Sequence, residues 1–544
     1  MKRSTKIIYP ILIAVAVVLG IYIGRFYDSL HHSPIVYYGK NKIEGLLYLI
    51  KNQYVDTVNI DSLTEKAIPK IISELDPHST YIPAEDLEMV NNDLDGSFSG
   101  IGIQFSILND TIMVVSVIPG GPSEKAGIVA GDRIIAVNDT SFTGKDITNE
   151  RVMKHLRGKK ESDVKLTLAR PLSKEPIDIL VTRGDIPVNS VDVAFRANDD
   201  IGYIKISKFG KNTYSEFLNA LAKLSTEGTQ KFIIDLRGNS GGYMESAINM
   251  VNEFLPAGYM IVYTKGNASP LNEIFSNGTG LFKENQIVVL MDEWSASASE
   301  IFAGAIQDND RGLIIGRRSF GKGLVQQQLP FNDGSALRLT IARYYTPSGR
   351  SIQKDYKMGD SENYEKDLLN RFEHGEFDSK DSIQVNDSLT YKTLYGRTVY
   401  GGGGIMPDIF VPRDTSYYSP YLTQVVNNGL IYQFAFKYTD NNREKLSKFA
   451  SAKALLKYLK GDNILDQFIS FASSKGIKAR PIYINTSKRE ILNSIYANIT
   501  RNMLGDEAFY PIVLMNDETF LKAIEILKED KGFPIIENER ETEN

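Results

Sequence analysis

Apolar and polar positions repeat with different periods along the chain, and these changes of period divide it into segments. The first segment is an almost unbroken apolar run of 17 residues, Ile7 to Ile23, with basic residues on both sides. Such a run is at the short limit for a membrane span and long for the apolar part of a signal peptide. No small-residue cleavage site is well placed beside it. We therefore predict an uncleaved signal anchor in residues 1–30, with cleaved secretion as the alternative.

Apolar residues next recur with a helical period, as in the stripe Ile43, Leu46, Leu47 and Ile50. This pattern predicts an N-terminal helical domain over residues 36–95, serving as a support or a dimerisation arm.

Strand and helix patterns then alternate from about Ile201 to Tyr345, with buried-strand runs at Phe232–Leu236 and Ile287–Met291. This alternation indicates an α/β layer structure. We place the core at residues 184–414, interrupted by a largely polar insertion at about 351–400 that forms a surface segment or lid. Helical stripes predict a C-terminal α-helical domain over 415–544. The predicted fold class is multidomain α/β.

The strand Ile287–Met291 leads into a small-residue turn in which Ser295, Ser297 and Ser299 alternate with alanines, followed by a helix. Ser297 and Glu300 have the spacing of a capping box, so one interpretation of Ser297 is a helix N-cap. The other is a nucleophile, because a serine at a strand-to-helix turn presents its hydroxyl to a cleft near backbone N–H groups.

A nucleophilic serine needs a base, and the composition restricts the choice. The chain has no cysteine and five histidines, His31, His32, His78, His155 and His374. None of them lies in the alternating strand and helix pattern from Ile201 to Tyr345, and lysine is the other known base for serine. Lys322 follows the strand Leu313–Gly316 and is flanked by glycines, which leave room for its amine. Burial would lower its pKa, and the Gln326 amide would orient it without recharging it.

Gly238–Gly242 also satisfies G-x-S-x-G between a strand and a helix, so an α/β-hydrolase with Ser240 as nucleophile is a rival interpretation. It requires a downstream histidine. Only His374 follows, in a charged stretch with no buried strand beside it.

Several motifs together resemble the C-terminal processing peptidases, also called tail-specific proteases, which are Ser/Lys enzymes. They include SASASE, AGAIQD, FGKG with LVQ, and DLRGNSGG, and the resemblance covers about residues 36 to 413. The spacing from Ser297 to Lys322, 25 residues, matches that family. The resemblance implies Ser297, Lys322 and Gln326 as the catalytic group, with Asp308 in support. It also implies an oxyanion hole built from N–H groups of Gly241 or Gly242, with Ala298.

Residues 96–183 are similar to bacterial PDZ modules. The glycine-bearing loop Ser99, Gly100, Ile101 and Gly102 runs into an alternating strand, which suits a peptide carboxylate held by backbone N–H groups while the peptide adds as a strand.

We therefore predict a serine endopeptidase that cleaves envelope proteins near their C-termini, on the extracytoplasmic (periplasmic) side of a bacterial inner membrane. The PDZ domain would bind apolar C-terminal tails of substrates. No metal or organic cofactor is implied, and a homo-oligomer is possible. The net charge of −5 and the lack of a dense basic run give no reason to expect nucleic-acid binding. A non-catalytic PDZ scaffold is the remaining alternative.

Overall fold

The computed structural model describes residues 5–30, 41–107, 110–170, 173 and 175–529. The described residues up to Ile72 form one unit, and those from Ser73 onward form another. The helices that begin in the first unit are α1 (Thr5–Leu30), α2 (Lys42–Gln53) and α3 (Ile60–Ser73). Within α1, the stretch Ile8–Tyr27 has 20 residues and is long and apolar enough to cross a membrane.

The residues after α3 depart from the predicted helical domain at 36–95. Strand β1 (Thr80–Ile82) pairs antiparallel with the core strand Ala336–Tyr345, and α4 (Ala84–Asp95) follows it. The segment from Ser73 onward therefore belongs with the larger unit. Helical periodicity did not indicate β1, because a three-residue strand is too short to show a period.

The next domain is a β-structure whose elements match the alternating patterns of the sequence. Its elements are β2 (Ser97–Gly100), β3 (Ile103–Ile107), β4 (Ile112–Val117), α5 (Pro122–Lys125), β5 (Arg133–Val137), β6 (Thr140–Ser141), α6 (Asn149–Leu156), β7 (Asp163–Ala169), β8 (Ile177–Thr182) and β9 (Gly184–Pro187). The main sheet has the order β3-β4-β5-β7-β8, while β9 pairs with β2. Residues 184–187, which were predicted to begin the core, thus close this domain instead.

The core that follows contains two sheets. Its elements are β10 (Val191–Arg196), β11 (Ile201–Ile206), α7 (Thr213–Thr226), β12 (Lys231–Asp235), α8 (Met244–Asn252), β13 (Met260–Lys265), β14 (Asn272–Phe275), β15 (Gln286–Met291), α9 (Ala298–Asp308), β16 (Leu313–Gly316), β17 (Leu324–Pro330), β18 (Ala336–Tyr345), α10 (Ser361–Glu373), β19 (Thr390–Lys392), β20 (Thr398–Tyr400) and β21 (Ile409–Phe410). One sheet has the order β10-β11-β12-β15-β16-β21 and is parallel from β11 onward. The other runs β1-β18-β13-β14, with β17 also paired to β18.

Both faces of the parallel sheet are buried, as the near-continuous apolar strands require. Alternate residues such as Ile204 and Ile234 face α7, α8 and α9, whereas Tyr203 and Ile233 face the opposite side. The carboxyl ends of β12, β15 and β16 meet at one edge, where the loops with the candidate residues begin.

The described C-terminal region, up to residue 529, is helical; residues 530–544 of the helical domain predicted at 415–544 lie outside the described residues. Its helices are α11 (Pro420–Asn427), α12 (Leu430–Leu446), α13 (Ala452–Lys460), α14 (Ile464–Ser474), α15 (Pro481–Leu504), α16 (Asp506–Val513) and α17 (Glu518–Glu529). Helices α11 to α15 share their own apolar core, to which α16 contributes Ile512. Helix α17 instead covers the second face of the parallel sheet, through Phe520, Ala523 and Leu527. The last helix is therefore part of the α/β core.

Candidate active site

Ser297 stands at a strained turn between β15 and α9. Its backbone has φ 57° and ψ −115°, a region that residues other than glycine rarely occupy. The neighbouring serines are buried and committed to structure, because the Ser295 hydroxyl donates to Leu236 O (2.9 Å) and the Ser299 hydroxyl donates to Asn239 O (2.9 Å). Ser297 is partly exposed. Strain at such a turn is characteristic of functional sites, and it singles out Ser297 among the three serines.

The glycine turn after β12 lies directly against Ser297. A Cβ on Gly241 would lie 2.7 Å from the Ser297 Cβ and 2.8 Å from Ala296 O, and the φ of Gly241 is +102°. A Cβ on Gly242 would lie 2.1 Å from Phe209 O. Only glycine permits this close approach. The Gly238–Gly242 turn, considered above as a nucleophile elbow, therefore packs against the turn that carries Ser297.

Asn239 ties the glycine turn to the Ser297 turn, a role that the sequence pattern did not indicate. Its backbone carbonyl accepts from Ala296 N–H (3.0 Å), and its side-chain oxygen accepts from Gly241 N–H (2.8 Å). The Gly241 N–H is thus already engaged. The two hydrogen bonds that join this turn to Phe209 are donated by Phe209 N–H and Tyr243 N–H, so neither uses the Gly242 N–H. Ala298 begins α9, where the helix offers its N–H no acceptor.

Glu300 links the Ser297 turn to the Lys322 loop. One carboxylate oxygen accepts from both Ser297 N–H (2.8 Å) and Lys322 N–H (2.9 Å). The other accepts from the Ser319 hydroxyl (2.5 Å) and Gly321 N–H (2.8 Å). Burial raises the pKa of Glu300 to about 7, although these four donors favour the ionised form. The predicted capping-box glutamate therefore also holds the loop of the candidate base.

Tyr344, on β18, makes a second link between the same two residues. Its hydroxyl lies 3.1 Å from Ser297 O and also contacts Lys322 O. The backbone nitrogens of Ser297 and Lys322 lie within 5.7 Å of each other, the sum of their 2.8 and 2.9 Å distances to one Glu300 oxygen. The structure therefore brings the predicted nucleophile and base together.

The surroundings of Lys322 favour a neutral amine. Burial lowers the pKa of Lys322, and the Arg338 guanidinium lowers it further, while Glu300 and Asp76 act in the opposite direction. Burial also lowers the pKa of Lys354, a buried lysine nearby, but its ammonium pairs with Asp367 (3.0 Å) and lies over the Phe320 ring. A partner carboxylate stabilises the charged form of Lys354, so Lys322 is the better candidate base.

Gln326 makes no hydrogen bond to Lys322 in this structure. Its side-chain N–H donates to the Thr340 hydroxyl (3.3 Å), which donates to Asp76 (3.0 Å). Because a carboxylate only accepts, Thr340 must give its proton to Asp76 and accept from Gln326. This order fixes the amide orientation and leaves the Gln326 carbonyl oxygen as the group available to a neighbouring amine.

Asp308 is at the other end of α9 from Ser297. An 11-residue helix spans about 16 Å, so this carboxylate is far from the nucleophile. It pairs with the fully buried Arg350 (2.7 Å) and accepts from the Ser348 hydroxyl (2.6 Å). Arg311, three residues further along the chain, instead donates to backbone carbonyls such as Phe254 O. Asp308 thus supports the turn after β18.

The insertion at 351–400 packs against the Lys322 loop. Buried Arg371, on α10, donates to Ser319 O (3.0 Å) and Arg318 O (2.8 Å) and also pairs with Glu376. The polar composition of the insertion reflects charged groups that pair with one another and with the Lys322 loop. The insertion therefore supports the loop of the candidate base. Composition alone did not distinguish this role from that of a lid.

Two of the described histidines bear on the alternatives. His374 is exposed and hydrogen-bonded to Asn370 O (2.7 Å), and Ser240 is exposed without the positive φ of Ser297. His78 contacts Tyr364 (2.8 Å), and burial followed by the charge of Lys322 lowers its pKa to about 4. His31 and His32 lie outside the described residues.

The predicted peptide-binding residues divide between a strand and a loop. Ser99 and Gly100 belong to β2 and pair with β9, so only Ile101 and Gly102 form the loop before β3. Strand β3 is at the end of its sheet order. Within the described ranges, no group of three or more histidine, aspartate and glutamate side chains is arranged to hold a metal ion.

Three segments match known family models. Residues 200–361 match peptidase family S41, residues 99–181 match a PDZ domain, and residues 421–505 match a family of unknown function, DUF8443. A carboxy-terminal-processing protease of Bartonella bacilliformis is 40% identical over 56% of this chain and 70% of its own length. The carboxy-terminal processing protease CtpB of Bacillus subtilis is 36% identical over 58% of this chain and 65% of its own. A solved photosystem II D1 C-terminal processing protease is 24% identical, with a TM-score of 0.34, over 68% of this chain and 92% of that one.

Proposed function

Because the chain belongs to the carboxy-terminal processing proteases of peptidase family S41, we propose that it is a serine endopeptidase in which Ser297 is the nucleophile and Lys322 the general base. The observation that carries this proposal is the single Glu300 oxygen that accepts from the N–H groups of both residues. That shared acceptor supports a functional pair on two separate loops, because it holds a strained serine beside a half-buried lysine.

The reaction begins with a neutral Lys322 amine. The amine takes the proton of the Ser297 hydroxyl as the oxygen attacks the peptide carbonyl carbon. Collapse of the tetrahedral intermediate breaks the C–N bond, and the Lys322 ammonium returns the proton to the leaving amine. A water molecule then attacks the acyl-enzyme and gives its proton to Lys322. Collapse of the second tetrahedral intermediate breaks the bond between the Ser297 oxygen and the carbonyl carbon, and the Lys322 ammonium returns its proton to that oxygen, which restores the Ser297 hydroxyl and the neutral amine.

The oxyanion is held by backbone N–H groups at the first turn of α9 and in the glycine turn. Ala298 N–H and Gly242 N–H suit this role, because the helix supplies no acceptor to the first and Phe209 does not use the second. Gly241 contributes by its closeness to Ser297, since its own N–H is engaged by Asn239. The N-terminal end of α9 adds a favourable dipole.

Gln326 orients the amine through its carbonyl oxygen. The chain of donors from Gln326 through Thr340 to Asp76 supports this orientation. Asp308 acts only through the turn that it shares with Arg350, so we assign it a structural role.

The PDZ domain selects substrates by their C-terminal tails. A peptide would add as a strand to β3, with its carboxylate at the N–H groups of Ile101 and Gly102. Envelope proteins with apolar C-termini are the proposed substrates. The bacterial relatives and the basic residues before α1 support a signal anchor, with the peptidase on the periplasmic side of the inner membrane. Exposed apolar side chains on α2, such as Ile43 and Leu46, support a homo-oligomer.

The test is hydrolysis of a peptide with an apolar C-terminus by the full chain in detergent micelles. We expect Ser297→Ala and Lys322→Ala each to reduce kcat by several orders of magnitude, and Ser240→Ala to leave activity within a few-fold of wild type. Loss of activity in Ser240→Ala alone would favour the α/β-hydrolase. Peptide binding without turnover by the wild type would favour a PDZ scaffold.

A further inference from the structure

Asp517, just before α17, makes a two-pronged contact with Arg237. The Arg237 Nη1 lies 2.9 Å from one Asp517 oxygen and 2.7 Å from the other. The same carboxylate accepts from Phe520 N–H (2.7 Å), so it also caps the first turn of α17. The pair is partly shielded, with 17% of the Arg237 side chain and 26% of the Asp517 side chain exposed.

The other edge of Arg237 is bound to Asp235, at the end of β12. Arg237 Nε lies 3.1 Å from both Asp235 oxygens, and Nη2 lies 2.7 Å from one of them. Burial opposes ionisation of Asp235, but Arg237 and Lys205 hold its pKa below the usual range. Arg237 is thus fixed between two carboxylates, one from the core and one from the C-terminal segment.

This row of charges ends at the glycine turn beside Ser297. Arg237 immediately precedes Gly238, the first residue of the turn whose later glycines face the nucleophile. The Lys205 ammonium donates to Arg237 O, which fixes the backbone at the same position. A displacement of the Arg237 side chain would therefore be transmitted to the peptide groups that shape the proposed oxyanion hole.

Helix α17 touches the same cluster through its apolar face. Phe520 meets the Tyr203 ring edge-to-face at 5.5 Å, and the Tyr203 hydroxyl donates to Asp235 (2.7 Å). Lys231, at the start of β12, donates to Leu527 O (2.7 Å). These contacts hold α17 in one register along β12, so Asp517 meets Arg237 with little freedom.

The residues of α17 lie outside the segments that match the peptidase model and the DUF8443 model. The peptidase model covers residues 200–361, and the DUF8443 model ends at residue 505. The contact with Arg237 is therefore supplied by a part of the chain that neither model includes.

We infer that Asp517 is a positioning residue for the proposed hydrolysis, which acts through Arg237 on the glycine turn, and that α17 completes the active-site support. The inference rests on the proposed Ser297 mechanism. Removing the Asp517 charge leaves Lys205 and Arg237 balanced by one carboxylate only, and it releases one edge of the guanidinium. The expected loss is in transition-state stabilisation, because substrate binding does not involve this cluster.

Asp517→Asn is the informative variant, because asparagine keeps the size and the ability to cap α17 while removing the charge. We expect kcat per titrated active site to fall about tenfold, with KM unchanged. The inhibition constant of a peptide boronate should rise by the same factor, because its boronate oxygen occupies the oxyanion hole. Asp517→Glu, which restores the charge, should recover part of the rate.

The matched control is Glu507→Gln on α16, which breaks an exposed pair with Lys223 in the same C-terminal segment. It should leave kcat within about twofold of wild type. Equal kcat in Asp517→Asn and the control would overturn the inference. A lower fraction of titratable active sites in Asp517→Asn, with normal kcat per site, would also overturn it. So would an Asp517→Glu variant as slow as Asp517→Asn. A wild type that does not hydrolyse the peptide, or activity that survives Ser297→Ala, would instead refute the proposed function.

Discussion

Replacing Glu300 separates the two loops that carry Ser297 and Lys322. The fully buried carboxylate accepts four hydrogen bonds, and in Glu300→Ala all four donors lose their partner. A buried donor without an acceptor costs about 1–3 kcal/mol, and relief of the buried charge offsets part of this. The free energy of unfolding should therefore fall by about 4 kcal/mol, the low end of the range for four donors.

Glu300→Gln should behave differently, because its carbonyl oxygen can keep one pair of donors. With that oxygen toward Ser297 and Lys322, the amide faces Ser319, whose hydroxyl can turn to accept, so the Gly321 N–H and the Ser319 O–H both lose their acceptor. We expect a loss of about 2 kcal/mol in stability, the low end of the range for two donors. A displacement of about 1 Å between reacting groups costs about 10²-fold in rate, so kcat should fall about 100-fold in Glu300→Ala and less than tenfold in Glu300→Gln.

The assay combines urea unfolding with kcat measured per active site titrated by a serine-reactive phosphonate. Glu293→Gln is the control, since Glu293 lies in the same turn but pairs with Arg317 (2.7 Å). It should lower stability without a comparable loss of kcat. The reasoning would be refuted if Glu300→Ala retained wild-type kcat per titrated site, because the two loops would then hold their geometry without the shared acceptor.

Three further predictions concern the same site. The kcat/KM should rise with pH as Lys322 loses its proton, with a midpoint below the ordinary lysine pKa of 10.5. Arg338→Gln should move this rise to higher pH, because it removes a charge that lowers the pKa of Lys322. A rise at unchanged pH would contradict the assignment of Lys322 as the base. Thr340→Val should reduce kcat about five- to tenfold by freeing the Gln326 amide, whereas Thr340→Ser, which keeps the hydroxyl, should stay within about twofold of wild type. Equal kcat in the two variants would exclude a role for the hydrogen bonds from Gln326 through Thr340 to Asp76. Gly241→Ala should abolish measurable peptide hydrolysis, because its Cβ would meet Ser297, whereas Gly238→Ala, with φ +71° and open space around its Cβ, should cost only about 1 kcal/mol of stability; activity in Gly241→Ala would show that the turn can move away.

Local sequence patterns were sufficient for the elements that carry the candidate chemistry. The run Ile287–Met291 became a buried parallel strand, and the small-residue turn placed Ser297 before α9. The glycines around Lys322 allowed its loop to approach Glu300 closely. These features depend on residues near each other in the chain, where propensity and period act directly.

The contacts between distant segments were not predictable in the same way. Tyr344, Asn239 and Thr340 act through hydrogen bonds to residues that lie 47, 60 and 264 positions away, and no local period indicates such pairs. Helical stripes predicted a C-terminal α-helical domain, but they did not indicate that Phe520, Ala523 and Leu527 of its last described helix would cover the parallel sheet. The pairing of Thr80–Ile82 with β18 also joins distant segments, so it could not be predicted from a local period.

The central claim is that Ser297 is activated by Lys322. The most direct measurement is labelling of the full chain with a fluorophosphonate probe, followed by peptide mapping of the modified residue and of its rate of modification. The account predicts that Ser297 is labelled in the wild type and that Lys322→Arg, which keeps the charge but cannot act as a neutral base, is not labelled at a comparable rate. Labelling at Ser240, or equally rapid labelling of Ser297 in Lys322→Arg, would contradict it.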